Sequence, residues 1–362
     1  MRWCGSSWGG SVTEWRDCTL GDFVSLQRGH DLAASQRVAG GVPVIGSGGI
    51  TGWHNVAKAT GPGIAIGRAA NLGSPTLVET DFWPLNTTLY VTDFKGNDVR
   101  FTYYLFKSLD LTGFNSGSVQ PMLNRNYIQH FPIRVPGANG QRAISNALGA
   151  LDDKIAVNGR ITEAALELAR TLYMESSLRD GEQAELGELV ELKYGKALRE
   201  PDRRPGSVPV YGCTGQVGWH DSTLTAAAGA VVGRKGANAG WISWAPRPCW
   251  VIDTAFFVGV RKDYLSPEVA FLVLESAKLP GLVGDSAVPG LNREAAYRHS
   301  VRVPSKSVVQ EISDRARPLM RRSAQAQDES RTLTNLRDTL LPQLMSGKLR
   351  VRAAEKIVED AV

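Results

Sequence analysis

The residues whose types and spacing could do chemistry gather on two glycine-rich strings, "VPVIGSGGITGWH" at 42 to 54 and "VPVYGCTGQVGWH" at 208 to 220. Each carries a possible nucleophile, Ser47 or Cys213, and ends in a histidine, His54 or His220. Nucleophilic catalysis needs a nucleophile, a base and a group that orients the base. Here the nucleophile changes between strings and no paired acid is apparent, which disfavours a duplicated hydrolase. "GSG" at 46 to 48 is not the GxSxG nucleophile turn. The sequence has no GxxxxGK[ST] phosphate loop and no HExxH, and its five histidines lack zinc spacing. The Asn/Asp-Pro-Pro-aromatic string of amino-methyltransferases does not occur. "ELK" at 191 to 193 lacks the preceding acid of a nuclease motif and reads as strand surface.

What remains is binding chemistry. Arg68 and Arg234 each follow a glycine that closes an apolar run, "IAIGR" and "AVVGR". A guanidinium at such a turn suits a bidentate contact to guanine or a grip on phosphate; the competing reading is a buried structural ion pair.

The elements that must position these groups come in two copies. Val42 and Val208 are 166 residues apart, and eight of the thirteen positions in the two strings are identical. The same offset takes Leu20-Gly21 to Leu186-Gly187 and Gly67-Arg68 to Gly233-Arg234. With single-residue slips, Thr87 meets Thr254 and "VQPMLNRNYIQHFPIRVP" meets "AVPGLNREAAYRHSVRVP". Each copy is near the size of one domain, so the chain reads as a tandem duplication.

Within each copy, a section rich in Gly, Val, Thr and aromatics forms short strands between turns. "FTYYLFKSL" (101 to 109) and "PEVAFLVLESA" (267 to 277) read as helices, the second capped by Ser266 with Pro267 in its first turn. A long helix follows. From Gln141 to about Glu175, apolar residues recur every three or four positions, with Asn158 on the stripe as a register-setting polar residue. Its duplicate runs from about Lys306 to Leu341, with Pro318 expected to kink it. The fold class expected is α+β: two tandem globular α/β domains joined by two long antiparallel coiled-coil helices in an internal pseudo-two-fold repeat. The boundaries expected are 1–140, 141–178, 179–305, 306–350 and a tail at 351–362.

A chain of 362 residues with 43% apolar content can build two ordinary cores. The four cysteines form no CxxC pair and read as reduced thiols in a cytoplasmic protein. No apolar stretch approaches the roughly 18 to 20 residues that span a bilayer, and the first ten residues lack an apolar signal core. A net charge of +5 permits a polyanionic partner without demonstrating one.

The doubled "VPVxGxxGxxGWH", the "IGR/VGRKG" turn, "FWPLNTTLYV", the "LNR" after a proline and the C-terminal "LRDTLLPQLMSGKLRV" (336 to 351) together resemble the specificity subunits of type I restriction-modification systems. The resemblance covers roughly residues 15 to 351. It implies two target-recognition domains reading an asymmetric, bipartite double-stranded DNA sequence, and long helices that bind two copies of an adenine-N6 methyltransferase subunit. A restriction/translocase subunit can join. The chain itself would be no enzyme and hold no cofactor, with S-adenosylmethionine on the methyltransferase. The alternative is the specificity component of a combined restriction-methylation system outside type I. A repeat protein whose doubled loops bind another protein is a third reading.

Comparing the copies divides the residues. The shared Gly46, Gly49 and Gly52, with Gly212, Gly215 and Gly218, suit turns with positive φ or close backbone approach. Trp53 and Trp219 read as packing residues under the loop, with base-stacking platforms as the alternative. Asn124 and Asn292 read as helix N-caps. The candidate DNA-binding residues are Ser47, Thr51, His54, Arg68, Asn71 and Arg125 in the first copy. In the second they are Thr214, Gln216, His220, Arg234, Lys235, Asn238 and Arg293, with Gln216 suited to the N6/N7 edge of adenine. The candidate partner-subunit interface is Leu151, Ile155, Leu172, Leu336, Leu340 and Leu344, with no metal site.

Overall fold

The computed structural model describes residues 14–114, 122–284 and 289–362. Cys4, the N-terminal segment and the starts of the two aligned strings at 119 and 287 lie outside the described residues. The chain divides into two compact units, one comprising residues up to Ala156 together with Arg331–Val362, the other Val157–Ser330.

The first unit begins with β1 (Trp15–Thr19), a short α1 (Leu20–Phe23) and β2 (Ser25–Arg28). Then come β3 (Val42–Gly46), β4 (Gly49–His54), β5 (Gly63–Gly67), β6 (Pro75–Val78), β7 (Trp83–Pro84) and β8 (Thr88–Asp93). Helix α2 (Val99–Ser108), α3 (Arg125–Ile128) and β9 (Pro132–Pro136) complete the globular section. The strands form a four-stranded sheet in the order β2-β8-β5-β6, a three-stranded sheet β4-β3-β7 and the pair β1-β9. Strand β5, "GIAIG", is buried at every position, as a strand covered on both faces must be.

The start of α4 (Ala138–Asp180) closes this unit together with the end of α8 (Lys306–Met345) and α9 (Val351–Glu359). Ile64, Ile66 and Leu89 of the sheet pack in one core with Phe101 and Leu105 of α2, Ile144, Leu148 and Leu151 of α4, and Leu340 and Leu344 of α8. Residues 351–362, expected as a tail, contribute Ala354 and Val358 to the same core. A polar cluster fastens the helices: Tyr104 donates to Asp152 (2.6 Å), Arg337 pairs with Asp152 (2.6 Å), and Arg100 pairs with Asp153. Burial, and then the bond to Asp152, push the Tyr104 phenol far above its usual range, so it stays a donor.

The second unit has β10 (Gly181–Glu185), α5 (Leu186–Leu189), β11 (Val190–Tyr194), β12 (Val208–Gly212) and β13 (Gly215–His220). After these come β14 (Gly229–Gly233), β15 (Ile242–Ala245), β16 (Trp250–Val251), β17 (Ala255–Val260), α6 (Pro267–Ser276), α7 (Arg293–Tyr297) and β18 (Ser300–Pro304). Its sheets run β11-β17-β14-β15, β13-β12-β16 and β10-β18, strand for strand the order of the first unit. Ser266 caps α6 by accepting from the Val269 N–H, as its sequence implies.

In this unit Ala169 and Tyr173 of α4 and Val309, Ile312 and Met320 of α8 share the core with Leu192, Val232 and Phe256 of the sheet. Asn158 Nδ2 donates to Glu329 (2.9 Å), while Thr162 meets the Ser323 carbonyl, so the two helical segments run antiparallel here. Asn158 is fully buried, the place its stripe position foretold. Both long helices run about a turn past the ends of their apolar stripes, α8 stopping at Met345 before the expected boundary at 350, and α8 remains helical through Pro318. Among the described residues, no helix is long and apolar enough to cross a membrane.

Candidate nucleic-acid interface

The glycine-rich strings are β-hairpins. Strands β3 and β4 pair antiparallel with a register shift between Val44 and Ile45, and β12 and β13 repeat it between Val210 and Tyr211. Gly52 and Gly218 sit beside these shifts at φ +152° and +153°. A Cβ at Gly52 would lie 2.5 Å from Arg37 Nη1, and one at Gly218 would lie 2.6 Å from Arg203 Nη1. Those guanidiniums lie against the bare glycines and donate to the carbonyls of Thr51 (2.8 Å) and Val217 (2.7 Å). Glycine is retained because a side chain would displace the arginine and strain the backbone.

The closing histidines are scaffold. His54 and His220 are buried, and their Nδ1 atoms accept the N–H groups of Val38 and Arg204, each at 3.0 Å. Their rings stand edge-on to Trp83 and Trp250. As DNA contacts they are therefore badly placed, because ring and Nδ1 are already committed to the fold. The Ser47 hydroxyl donates to the Thr87 carbonyl (2.7 Å), so Ser47 and His54 are each engaged elsewhere rather than paired as a nucleophile and base.

Trp53 behaves differently from its sequence reading. It is 53% exposed, because alternation along β4 turns it outward when His54 turns in. Trp219 is half-buried at the matching register.

Against each hairpin turn lies the arginine-bearing loop. Gly67 accepts the Gly73 N–H and donates to the Ser74 carbonyl, drawing 67–74 into a closed loop. A Cβ at Gly67 would fall 1.9 Å from the Asn71 carbonyl, and one at Gly233 would fall 2.2 Å from that of Asn238, so only glycine permits the closure. The loop is anchored from the turn before β8 or β17: the Thr87 carbonyl accepts the N–H groups of Arg68 (2.9 Å) and Ala69 (3.3 Å), and the Thr254 carbonyl those of Arg234 (2.8 Å) and Lys235 (3.2 Å). Arg68 Nη1 then donates to the Asn86 carbonyl (3.3 Å) and Arg234 Nη1 to that of Asp253 (3.2 Å). Both arginines are thus oriented by backbone carbonyls.

A third segment joins through the "LNR" strings. The Leu123 N–H donates to the Arg68 carbonyl (2.8 Å), and the Leu291 N–H to that of Arg234 (2.9 Å). Asn124 and Asn292 cap the next helical turns, accepting from Asn126 and from Glu294 and Ala295. The caps aim Arg125 and Arg293 toward the loop arginines. In the first unit Arg28, Arg68 and Arg125 line one cavity of about 480 Å³, with Asp31 and Gln27 on its wall. Burial, and then the charge of Arg28, lower the pKa of the Arg68 guanidinium. In the second unit Arg234 and Arg293 both lie over the ring of Tyr194, at 4.7 and 5.0 Å from its centroid. Tyr194 ends β11 as Arg28 ends β2, 166 residues earlier.

The structure therefore brings together Ser47, Arg68, Asn71 and Arg125 in one unit, and Arg234, Lys235, Asn238 and Arg293 in the other. Thr51 and Gln216 are exposed on the hairpins, Thr51 donating to the Val44 carbonyl (3.2 Å), and Thr214 is exposed at the second turn. Sequence reasoning misses Arg28, Tyr194 and Arg37, and reads Arg203 only as part of a surface cationic cluster with Arg199 and Arg204. The repeat offset holds the signal, since it aligns Arg28 with Tyr194 and Arg37 with Arg203.

The proposed partner-interface leucines fall mostly inside. Leu151, Leu340 and Leu344 belong to the first unit's core, so their apolar surface is already used by the fold. Ile155 and Leu336 are half-buried against that core, and Leu172 is half-buried in the second unit. Among the described residues, no group of three or more His, Cys, Asp or Glu could hold a metal ion.

Residues 13–167 match the family model of the type I restriction modification DNA specificity domain. No curated protein matches the chain in sequence. Among solved structures, it is similar to the S subunit of a type I restriction-modification system from M. genitalium, at 19% identity and a TM-score of 0.65, covering 92% of this chain and 97% of that one. A looser match is the HsdS subunit from Thermoanaerobacter tengcongensis, at 13% identity and a TM-score of 0.34, covering 92% and 97%.

Proposed function

We propose that this chain, whose residues 13–167 match the family model of the type I restriction modification DNA specificity domain, is the DNA-recognition subunit of such a system. It reads an asymmetric, bipartite duplex with one target-recognition domain per half-site, 1–140 and 179–305. The long helices, 141–178 and 306–350, recruit two copies of an adenine-N6 methyltransferase subunit, and a restriction/translocase subunit joins that assembly. The chain does no chemistry itself and works in the cytoplasm, with S-adenosylmethionine bound by the methyltransferase.

The observation that carries this reading is the doubled arginine frame. In each unit a loop arginine, oriented by a carbonyl of the turn before β8 or β17, meets a second arginine delivered by a capped turn. Oriented guanidiniums serve bidentate guanine contacts and phosphate contacts alike. The two frames share their anchors and differ at their tips, which suits two different half-sites.

The experiment is duplex binding by the chain co-purified with its methyltransferase. A split, asymmetric target should be bound, with affinity falling steeply as salt rises. Salt-insensitive binding indifferent to sequence would overturn the reading.

A further inference from the structure

The two frames are alike at the loop arginine and the capped arginine, yet differ at the third corner. Tyr194 supplies an aromatic face on which Arg234 and Arg293 rest. Arg28 instead supplies a third guanidinium, and the three arginines wall an open cavity of about 480 Å³. The carboxylate on that wall is Asp31, 3.8 Å from Arg28 and already accepting from the Asn86 amide. Three guanidiniums against one shared carboxylate leave the cavity cationic.

We propose that the Arg28–Arg68–Arg125 cavity is a phosphate site of the first unit, seating one phosphodiester of bound DNA, and that Tyr194 in place of Arg28 denies the second unit the same contact. The proposal rests on the DNA reading above. Its chemistry requires a tetrahedral, charged oxygen cluster that takes donors from several directions, which a flat base edge does not offer. The Arg68 guanidinium is held by the Asn86 carbonyl and the turn that carries Arg125 by the Asn124 cap, so part of the ordering cost is met before the ligand arrives. Arg28, more than half exposed at the end of β2, is the corner that can adjust. Burial first, and then the charge of Arg28, disfavour the charged Arg68 guanidinium, and a bound anion offsets the second of these.

The test uses the full chain with its methyltransferase and compares wild type with Arg28→Tyr, the residue of the other unit, and Arg28→Gln. The slope of log affinity against log salt should shrink by about 0.9 in both variants, the value for one lost phosphate contact. Methylphosphonates placed one at a time along the cognate duplex should reveal one position that weakens wild-type binding about tenfold and leaves the variants indifferent. An unchanged slope with no such position overturns the phosphate site while leaving DNA recognition intact. A second arm measures thermal stability in inorganic phosphate against chloride of equal ionic strength. If duplex binding fails but phosphate raises the wild-type Tm more than that of Arg28→Tyr, the site stands and the DNA reading falls. If phosphate and chloride act alike on both proteins and no duplex is bound, both are overturned.

Discussion

The hairpin-and-loop frame of residues 42–74 and its counterpart at 208–240 use the same parts to different ends. Buried histidine, bulge glycine, the arginine laid against that glycine and loop-closing glycine recur with nearly equal distances. The corners differ: Ile50 against Gln216, Ala69 against Lys235, Arg28 against Tyr194. A scaffold contact is fixed by what it touches inside the fold, so it tolerates no divergence. A tip residue is fixed only by what it meets outside, so it can change when that partner changes. The difference teaches where to look for specificity, and it makes the comparison breakable.

The largest effect should come from removing residues 331–362. These complete the first unit's core, and their loss strips Ile144, Leu148 and Leu151 of their partners. Hydrogen exchange should show protection lost across residues 14–156, while β11–β17 keep theirs. Leu340→Ala is the milder form, costing about 2–5 kcal/mol in a denaturant melt. Retained protection in the truncated chain would break the assignment of the C-terminal segment to the first unit.

Next come Gly67→Ala and Gly233→Ala. Each forces a Cβ onto a carbonyl of its own loop and should cost about 1–3 kcal/mol in stability. Each should also weaken binding at one half-site alone, measured with duplexes in which the other half is scrambled. Equal losses at both halves would show that the frames do not read separately.

His54→Ala and His220→Ala should be smaller and matched. Each loses an acceptor for a buried-edge N–H, worth about 1 kcal/mol, and each should lower stability without altering sequence preference. A changed preference would return the histidines to the DNA-contact list. The smallest effect expected is Tyr194→Ala, which frees Arg234 and Arg293 from one ring and should weaken only the second half-site, by about two- to fivefold.

Much of this is legible in the sequence. The 166-residue offset announced a pair of like-shaped glycine-rich loops, because near-identical strings at one spacing need like local geometry, though not that they are hairpins. The three-and-four stripe announced the long helices, and Asn158 sits buried where its stripe position implied. The caps at Asn124, Ser266 and Asn292 followed from local hydrogen-bond chemistry alone.

What sequence could not show was which faces were already spent. Leu151, Leu340 and Leu344 read as a free stripe because periodicity reports apolarity and says nothing of who covers it. Trp53 looked like packing because aromatic residues usually are, whereas strand alternation turned it out. Arg28 went unseen because it converges with Arg68 and Arg125 only after three distant segments meet.

The central claim, that one chain carries two different DNA readers, is tested most directly by sequencing the adenine methylation of the host genome with and without this protein. The account predicts that one split, asymmetric motif disappears in its absence and returns with the wild-type chain. A methylome unchanged by the loss, or the loss of an unsplit palindrome, would contradict it.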